Sequence, residues 1–199
     1  MTSGRRRCPP LEGIVLAKLW YRWAAMAAGK STSALQVAKN YEDNDQEVLL
    51  LTSDLDDRDG RGFITSRIGI RREAHTFTAQ TDFLETLKEI NVACVIIDEA
   101  QFLSLEQVQQ LHRWVHTRNI PVMCFGLRSD FKGNPFAGSA ALLTLADELD
   151  EIRTGCRCGK KATMNIRVDE NGLRLREGEQ VLIGGNSRYR SVCARCFYS

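Results

Sequence analysis

The fold of this chain is decided by residues 24–32, which read Ala24-Ala25-Met26-Ala27-Ala28-Gly29-Lys30-Ser31-Thr32. An apolar, strand-like run at 16–23 precedes this stretch, and a helix-like run follows it at 33–44. Strand, glycine-bearing loop and helix are the order of a phosphate-binding P-loop. In such a loop, backbone N–H groups and the positive end of the helix dipole point toward an anion. The stretch therefore predicts a site for nucleotide phosphates.

Individual residues of the loop have the chemistry that this site requires. Gly29 lets the backbone approach phosphate closely, Lys30 can reach the β- and γ-phosphates, and the Ser31 hydroxyl can ligate Mg²⁺. The usual pattern has glycine where this chain has Ala24, and a side chain there must avoid positive φ. The start of the loop is thus expected to be tighter than usual or differently turned. The alternative is a chance Gly-Lys-Ser at an ordinary helix start.

The length and charge of the chain exclude several classes of protein. Its 199 residues suffice for one sizeable domain with a small lobe, or for two small domains. A net charge of +2 does not favour nucleic acid or an acidic membrane surface, and no apolar run approaches the roughly 20 residues of a membrane span. Residues 1–15 lack the apolar core of a signal peptide and are expected to be a disordered tail. We therefore expect a cytoplasmic protein without nucleic-acid or membrane partners.

Strand-like and helix-like segments alternate from residue 16 to about residue 150. Further strands are expected at 47–52, 74–78, 93–97 and 121–126, and further helices at 82–90, 104–118 and 139–149. This alternation predicts an α/β fold with a doubly wound, mainly parallel sheet flanked by helices. We expect a P-loop domain at 16–152 and a small C-terminal lobe at 153–199.

The predicted helix at 104–118 contains two of the three histidines. Ser104 should cap this helix, with Gln107 at the capping-box position. His112 and His116 are four residues apart, a spacing that suits a metal ion. The residue after His112 is an arginine and not the glutamate of a metalloprotease helix, so a solvent-exposed surface is favoured. The buried stripe of the helix is expected to comprise Leu105, Val108, Leu111 and Val115.

Two acidic residues, Asp98 and Glu99, follow the predicted strand at 93–97. The carboxyl ends of strands are where open α/β sheets bind ligands. An aspartate there can hold Mg²⁺ through its water shell opposite a P-loop. Glu99 would lie near the γ-phosphate and could accept a proton from an attacking hydroxyl or water. The alternative is a simple acidic pair at a strand end.

A charged, glycine-rich segment occupies residues 54–62 and should be an exposed loop. One interpretation is a mobile segment in which Arg58 moves toward the phosphates and Asp56 orients it. Composition alone favours a solvated connector.

Four of the seven cysteines lie in two close pairs near the C-terminus: Cys156 with Cys158, and Cys193 with Cys196. Four thiolates in two pairs suit a tetrahedral, structural zinc ion. The alternatives are two disulfides or free thiols, and an intracellular location argues against disulfides. The segment between the pairs, 177–189, would by itself indicate a surface hairpin with a glycine pair.

Together these motifs resemble the thymidine kinases of the cytosolic, zinc-containing type found in bacteria and animals. The resemblance covers about residues 17–198. It rests on Met-x-x-Gly-Lys-Ser-Thr at 26–32, Asp-Asp-Arg at 56–58, Asp-Glu-x-Gln-Phe at 98–102, Gly-Leu-Arg-x-Asp-Phe at 126–131, Ile-Gly-Gly at 183–185 and Tyr-x-Ser-Val-Cys at 189–193. Bacterial members of this family also lack the glycine that Ala24 replaces.

The resemblance implies a P-loop NTPase-like (RecA-like) fold that transfers the γ-phosphoryl group of ATP to the 5′-hydroxyl of thymidine in pyrimidine salvage. Glu99 corresponds to the catalytic base. The ATP and Mg²⁺ residues implied are Ala24, Ala25, Met26, Ala27, Ala28, Gly29, Lys30, Ser31, Thr32, Asp56, Arg58, Asp98 and Gln101. The substrate residues implied are Met26, Phe102, Leu127, Phe131, Phe136, Gln180, Val181, Leu182, Ile183, Gly184 and Tyr189. The zinc ligands implied are Cys156, Cys158, Cys193 and Cys196.

The resemblance also implies a homotetramer that is feedback-inhibited by dTTP, the triphosphate end product. Main-chain recognition of the base by residues 180–184 leaves deoxyuridine as a second possible substrate. Two rival functions are a plain ATPase, in which Glu99 activates water, and a P-loop protein whose zinc lobe contacts nucleic acid. The near-neutral charge and the lack of a basic, aromatic-rich patch count against the second rival.

Overall fold

The computed structural model describes residues 16–56, 60–181 and 188–199. Its central sheet has six strands in the order β5-β2-β6-β7-β1-β8, and every neighbouring pair in it is parallel. The predicted α/β fold with a mainly parallel sheet is therefore confirmed. The six strands are β1 (Leu19–Ala24), β2 (Val48–Ser53), β5 (His75–Phe77), β6 (Cys94–Ile97), β7 (Val122–Leu127) and β8 (Glu148–Glu151).

Helices cover both faces of this sheet. Alternate residues of β6 belong to different apolar clusters, because successive strand side chains point to opposite faces. Val95 and Ile97 pack in the larger cluster, whereas Cys94 and Ile96 pack in the cluster that contains α1. No helix in the described parts of the chain is both long and apolar enough to cross a bilayer. The helices of this domain are α1 (Lys30–Glu42), α2 (Phe83–Thr86), a 3₁₀ turn (Ala100–Phe102), α3 (Leu105–Arg118) and α4 (Ala137–Leu145).

The capping of α3 confirms the prediction, but one residue of its buried stripe was assigned wrongly. The Ser104 hydroxyl accepts from the Gln107 N–H at 3.1 Å, and the Gln107 side chain accepts from the Ser104 N–H at 3.0 Å. Leu105 is 54% exposed because it begins the helix at the edge of the core. Trp114 is buried in addition to the three remaining stripe residues.

The helix expected at 82–90 is much shorter in the structure. Asp82 caps it as expected, with its carboxylate accepting from the N–H groups of residues 84 and 85. However, α2 ends at Thr86. The carbonyl of Leu87 accepts from the Trp114 indole, and those of Lys88 and Ile90 accept from Arg118. The N–H groups of Lys88 and Ile90 donate three residues back, to the carbonyls of Glu85 and Leu87 at 3.2 Å, so the segment continues as turns and not as an α-helix.

The helix expected at 139–149 ends early, and its last residues belong to a strand that the sequence did not indicate. The helix α4 stops at Leu145, and β8 (Glu148–Glu151) pairs with β1 at the edge of the sheet. Three of the four residues of β8 are acidic, so it lacks the apolar pattern of a buried strand. Basic side chains of and next to β1 compensate this charge: Arg22 pairs with Asp150 at 2.8 Å, and Lys18 pairs with Glu148.

Smaller sheets form the rest of the described chain. The hairpin of β3 (Phe63–Thr65) and β4 (Arg71–Glu73) lies within the first 152 residues. After residue 153, the hairpin of β9 (Thr154–Gly155) and β10 (Lys161–Ala162) precedes a three-stranded sheet in the order β12-β11-β13. Its strands are β11 (Met164–Val168), β12 (Arg174–Leu175) and β13 (Tyr189–Val192), and α5 (Ala194–Tyr198) follows. Five buried residues give this lobe its own apolar cluster.

Candidate active site

The loop between β1 and α1 has the form of an anion-binding turn. Ala24 is the last residue of the extended strand, so it avoids positive φ as expected. The left-handed conformations fall later, at Ala27 (φ 59°) and Gly29 (φ 81°). The helix already begins at Lys30, earlier than predicted, and its fully described first turn contains no acidic side chain. The N-terminal N–H groups of α1 are therefore positioned for a negatively charged ligand.

Asp98 follows β6 at the same edge of the sheet, since β1, β7 and β6 run parallel in that order. Its buried carboxylate accepts hydrogen bonds from the Ser31 hydroxyl and from the Glu99 N–H. Burial, reinforced by the charge of Glu99, raises the pKa of Asp98 to about 6, against the opposing effects of Ser31 and Lys30. A hydroxyl and a carboxylate oxygen side by side are the hard ligands that Mg²⁺ prefers, so this pair fits that ion.

Glu99 has an unusual backbone and a fixed side chain. It is one of the non-glycine residues with positive φ (54°), in a sparsely populated region that often marks functional positions. Gln101 donates from Nε2 to Glu99 Oε2 at 2.5 Å, while its Oε1 accepts from the Leu127 N–H at 3.1 Å. Gln101 is buried. The end of β7 therefore fixes Gln101, and Gln101 orients the Glu99 carboxylate.

Two adjoining cavities meet at this carboxylate. One, of about 1450 Å³, is lined by the P-loop, Asp98 and the β3–β4 hairpin. The other, of about 590 Å³, is lined largely by apolar and aromatic side chains. Four residues line both cavities: Met26, Asp56, Glu99 and Leu127.

The apolar cavity has aromatic walls held by an arginine. Phe102 and Phe136 meet edge to face, with ring centroids 6.0 Å apart. The Arg167 guanidinium lies over the Phe131 ring, 3.9 Å from its centroid, and donates to the Tyr189 hydroxyl through Nε at 3.0 Å and Nη2 at 2.5 Å. Arg167 is only 4% exposed. It therefore fixes two of the predicted substrate residues, although nothing in the sequence marked it as part of the site.

The lobe also contacts the P-loop directly, at Met26. The Met26 N–H donates to the Asn165 side-chain oxygen at 2.8 Å, and the Ser191 hydroxyl donates to the Met26 carbonyl. Asn165 also donates to the Ser129 carbonyl at 3.1 Å. Ser191 was given no role from the sequence, although it lies in the Tyr-x-Ser-Val-Cys motif, and Asn165 was missed, because a single polar residue in a short strand has no pattern that distinguishes it. The lobe thus positions the loop that the two cavities share.

Most of the predicted site residues lie around the two cavities. Gln180 and Val181 line the apolar cavity, and Gln180 also donates to Asp130 at 3.1 Å. Gln101 lines the apolar cavity too, although it was assigned to the ATP side. Four predicted residues lie outside the described parts of the chain: Arg58, Leu182, Ile183 and Gly184.

The four C-terminal cysteines form one cluster, with all their sulfur atoms within 4.8 Å of one another. The Cys158 sulfur lies 3.5 Å from that of Cys156 and 3.5 Å from that of Cys193, far beyond the roughly 2.05 Å of a disulfide. Tetrahedral zinc with Zn–S bonds of about 2.3 Å would separate its sulfur ligands by about 3.8 Å. N–H groups of Cys158 and Cys193 donate to the Cys156 sulfur and lower its pKa to about 6, whereas the neighbouring thiols raise the pKa of Cys196 to about 12. The cluster is therefore compatible with zinc.

Comparison with known proteins agrees with this geometry. The sequence profile of the family described as "Thymidine kinase" matches residues 17–197. A thymidine kinase of Chromobacterium violaceum is 60% identical over 183 residues, which are 92% of this chain and 99% of the relative. One of Albidiferax ferrireducens is 57% identical and covers 92% of this chain and 93% of its own length. One of Vibrio cholerae is 49% identical over 89% of this chain and 95% of its own length. The chain belongs to the thymidine kinase family.

Proposed function

We propose that this protein transfers the γ-phosphoryl group of ATP to the 5′-hydroxyl of thymidine, giving ADP and dTMP. The observation that carries this proposal is the position of Glu99, which lines both the polar and the apolar cavity. A phosphoryl donor in the first and a nucleoside in the second would meet at this carboxylate. Family membership supports the same reaction.

On the polar side, the loop and α1 would bind the triphosphate. The N–H groups around Gly29 would face phosphate oxygens, and the Lys30 ammonium, now donating to the Ala25 carbonyl at 3.4 Å, would turn to the β- and γ-phosphates. Ser31 and Asp98 would hold Mg²⁺, which when bound neutralises charge on the transferring group. Arg58 would approach the phosphates with Asp56 orienting it.

On the apolar side, the thymine ring would stack among the aromatic residues that line the cavity. Phe131 and Tyr189 would contact the base, and the main chain of residues 180–184 would hydrogen-bond its polar edge. Because main-chain recognition uses few side chains to distinguish one base from another, deoxyuridine is a second candidate substrate. The fixed positions of Phe131 and Tyr189 beneath Arg167 support a preorganised base site.

The chemical step needs one proton acceptor. The Glu99 carboxylate takes the proton of the 5′-hydroxyl while the oxygen attacks the γ-phosphorus in line with the leaving ADP oxygen. One O–P bond forms, one breaks, and Glu99 retains the proton until solvent removes it. The hydrogen bond from Gln101 to Glu99 Oε2 supports a fixed orientation of the carboxylate during proton transfer.

We further propose that the four C-terminal cysteines hold a structural zinc ion. Four thiolates leave no open position, so the ion would supply folding energy and no catalysis. It would fix the end of β13, the strand from which Tyr189 lines the apolar cavity and Ser191 reaches Met26. We also place the boundary between the P-loop domain and the C-terminal lobe between residues 152 and 153, because the last strand of the large sheet ends at Glu151.

Three further properties are proposed from the sequence and its resemblance. The protein would assemble as a homotetramer, would be inhibited by dTTP and would act in the cytoplasm. Sedimentation and inhibition assays test the first two directly.

The proposed reaction is tested by ADP release across a panel of nucleosides. Thymidine should stimulate ADP release and yield dTMP in equal amounts, with deoxyuridine also tested and purine nucleosides inactive. ADP release that is independent of any nucleoside would instead indicate a plain ATPase. Salt-dependent DNA binding without nucleoside-stimulated turnover would indicate the nucleic-acid alternative.

A further inference from the structure

A second cluster of metal-ligating side chains lies away from the two cavities. His112 and His116 lie one turn apart on α3, and the fold brings Asp147, from the connection between α4 and β8, next to both. One ligand atom from each of the three lies within 4.8 Å of the other two. The sequence indicated an exposed helix surface here, and both imidazoles are indeed partly exposed, but it did not indicate the approach of Asp147.

The distances between these atoms suit a shared ion better than direct hydrogen bonds. Nε2 of His112 and of His116 lie 3.7 Å and 3.3 Å from the same oxygen, Oδ1 of Asp147. Both separations exceed about 2.7–3.2 Å, the usual donor–acceptor distance of an N–H···O bond. A tetrahedral ion with bonds of about 2.05 Å would separate its N and O ligands by about 3.3 Å. The His116–Asp147 separation matches this value, the His112–Asp147 separation is 0.4 Å longer, and all three ligand atoms lie within 4.8 Å of one another.

The Asp147 carboxylate is held in place by hydrogen bonds, and one of its oxygens is available to a cation. Its other oxygen, Oδ2, accepts from the Leu19 N–H at 2.7 Å, and the Asp147 N–H donates to the Leu19 carbonyl at 2.9 Å. Such second bonds orient metal ligands in proteins. Among the described residues, no lysine or arginine lies within 4.0 Å of this carboxylate, and the two imidazoles are its neighbours. The nearby Lys18 pairs with Glu148.

We propose that His112, His116 and Asp147 form a second metal site, which binds a divalent transition-metal ion such as Ni²⁺, Cu²⁺ or Zn²⁺. Two imidazoles and one carboxylate select such ions over Mg²⁺ and Ca²⁺, which prefer oxygen ligands. Because the side chains are partly exposed, water completes the coordination. The ion would join α3 to the residue that precedes β8 and that hydrogen-bonds β1, so its binding would stabilise the fold. This site is independent of the proposed kinase reaction.

The test is calorimetric titration of Ni²⁺ into the full-length, zinc-loaded chain from which any affinity tag has been removed. We expect one Ni²⁺ per chain beyond the cysteine cluster, and a melting temperature that rises with Ni²⁺. His112→Gln and His116→Gln should each weaken Ni²⁺ binding at least about tenfold, since loss of even an outer-shell partner costs about 10–100-fold. Asp147→Asn, which keeps an acceptor for the Leu19 N–H, should also weaken it.

His75 provides the matched control, because it is the remaining histidine and lies on β5, outside the cluster. His75→Gln should bind Ni²⁺ like the unsubstituted protein. The melting temperature without Ni²⁺ and the zinc content establish that each variant is folded. The proposal is overturned if the unsubstituted chain binds no Ni²⁺ beyond the cysteines, if His112→Gln binds it equally well, or if Asp147→Asn has no effect.

Discussion

Gly138, in the first turn of α4, offers a prediction in which two physical effects oppose each other. Alanine is a better helix former than glycine by about 0.5–1 kcal/mol, so propensity alone predicts that Gly138→Ala stabilises the protein. However, a Cβ at this position would lie 2.6 Å, 2.9 Å and 2.7 Å from the carbonyl oxygens of Ala100, Gln101 and Leu103. All three are backbone atoms of the 3₁₀ turn or of the residue after it, so no side-chain rotation relieves the contacts.

We expect the steric cost to exceed the gain in helix propensity, so that Gly138→Ala destabilises the protein. Relief to about 3.4 Å requires movement of about 0.5–0.8 Å between two packed segments. Overpacking of this kind costs about 1–3 kcal/mol, and backbone contacts place Gly138→Ala at the upper end. After the gain in propensity, we expect a net loss of about 2 kcal/mol. For a chain of this size, the melting temperature should fall by about 4–8 °C.

Gly138→Ala should also lower the catalytic rate, because the displaced 3₁₀ turn directly follows Glu99. A shift of this size in Gln101 would misplace the carboxylate that it orients. Since 1 Å of misplacement can cost about 10²-fold, we expect kcat to fall roughly tenfold.

Thermal unfolding and steady-state kinetics measure both effects. Gly155→Ala adds the same methyl group where no atom lies within 4 Å, and its unfolding free energy should change by no more than about 0.5 kcal/mol. A melting temperature for Gly138→Ala at or above that of the unsubstituted protein would refute the packing argument.

Three further predictions concern the site. Gln101→Ala should lower kcat about tenfold with little change in the KM for ATP, because the Glu99 carboxylate loses its donor; steady-state kinetics would contradict this with an unchanged kcat. Arg167→Lys should raise the thymidine Kd about 10–100-fold, since it removes the paired bonds to Tyr189; equal weakening of ATP in calorimetry would argue against a role in base binding. Cys193→Ser should lose zinc and weaken thymidine binding more than ATP binding, as metal analysis and calorimetry of both ligands would show.

The parts of the fold that were predicted correctly are those that local patterns determine. The P-loop, the strand before Asp98 and the capping box of α3 are contiguous motifs whose physics does not depend on distant residues. The strand β8 was missed because its acidic residues lie at the sheet edge, where Arg22 and Lys18 from another part of the chain compensate them. The helix α2 was overestimated because its expected last turn forms bonds three residues back, from Lys88 to Glu85 and from Ile90 to Leu87, while side chains of α3 bond the carbonyls of Leu87 and Lys88.

The same distinction applies to the site. Lys30, Asp98 and Glu99 lie in motifs that can be recognised within a few residues. Arg167 and Asn165 act only because β11 is packed against the P-loop and the aromatic cavity, a contact that exists in three dimensions and not in the local sequence. The meeting of Asp147 with the α3 histidines could not be predicted for the same reason.

The proposed reaction depends on Glu99 accepting the proton of the nucleoside hydroxyl where the two cavities meet. The most direct measurement is the single-turnover rate of phosphoryl transfer from ATP to thymidine by Glu99→Gln, with Glu106→Gln, an exposed change on α3, as the control. We expect a rate about 10²- to 10⁴-fold lower for Glu99→Gln, with thymidine still bound, and an unchanged rate for the control. A transfer rate close to that of the unsubstituted protein in Glu99→Gln would contradict it.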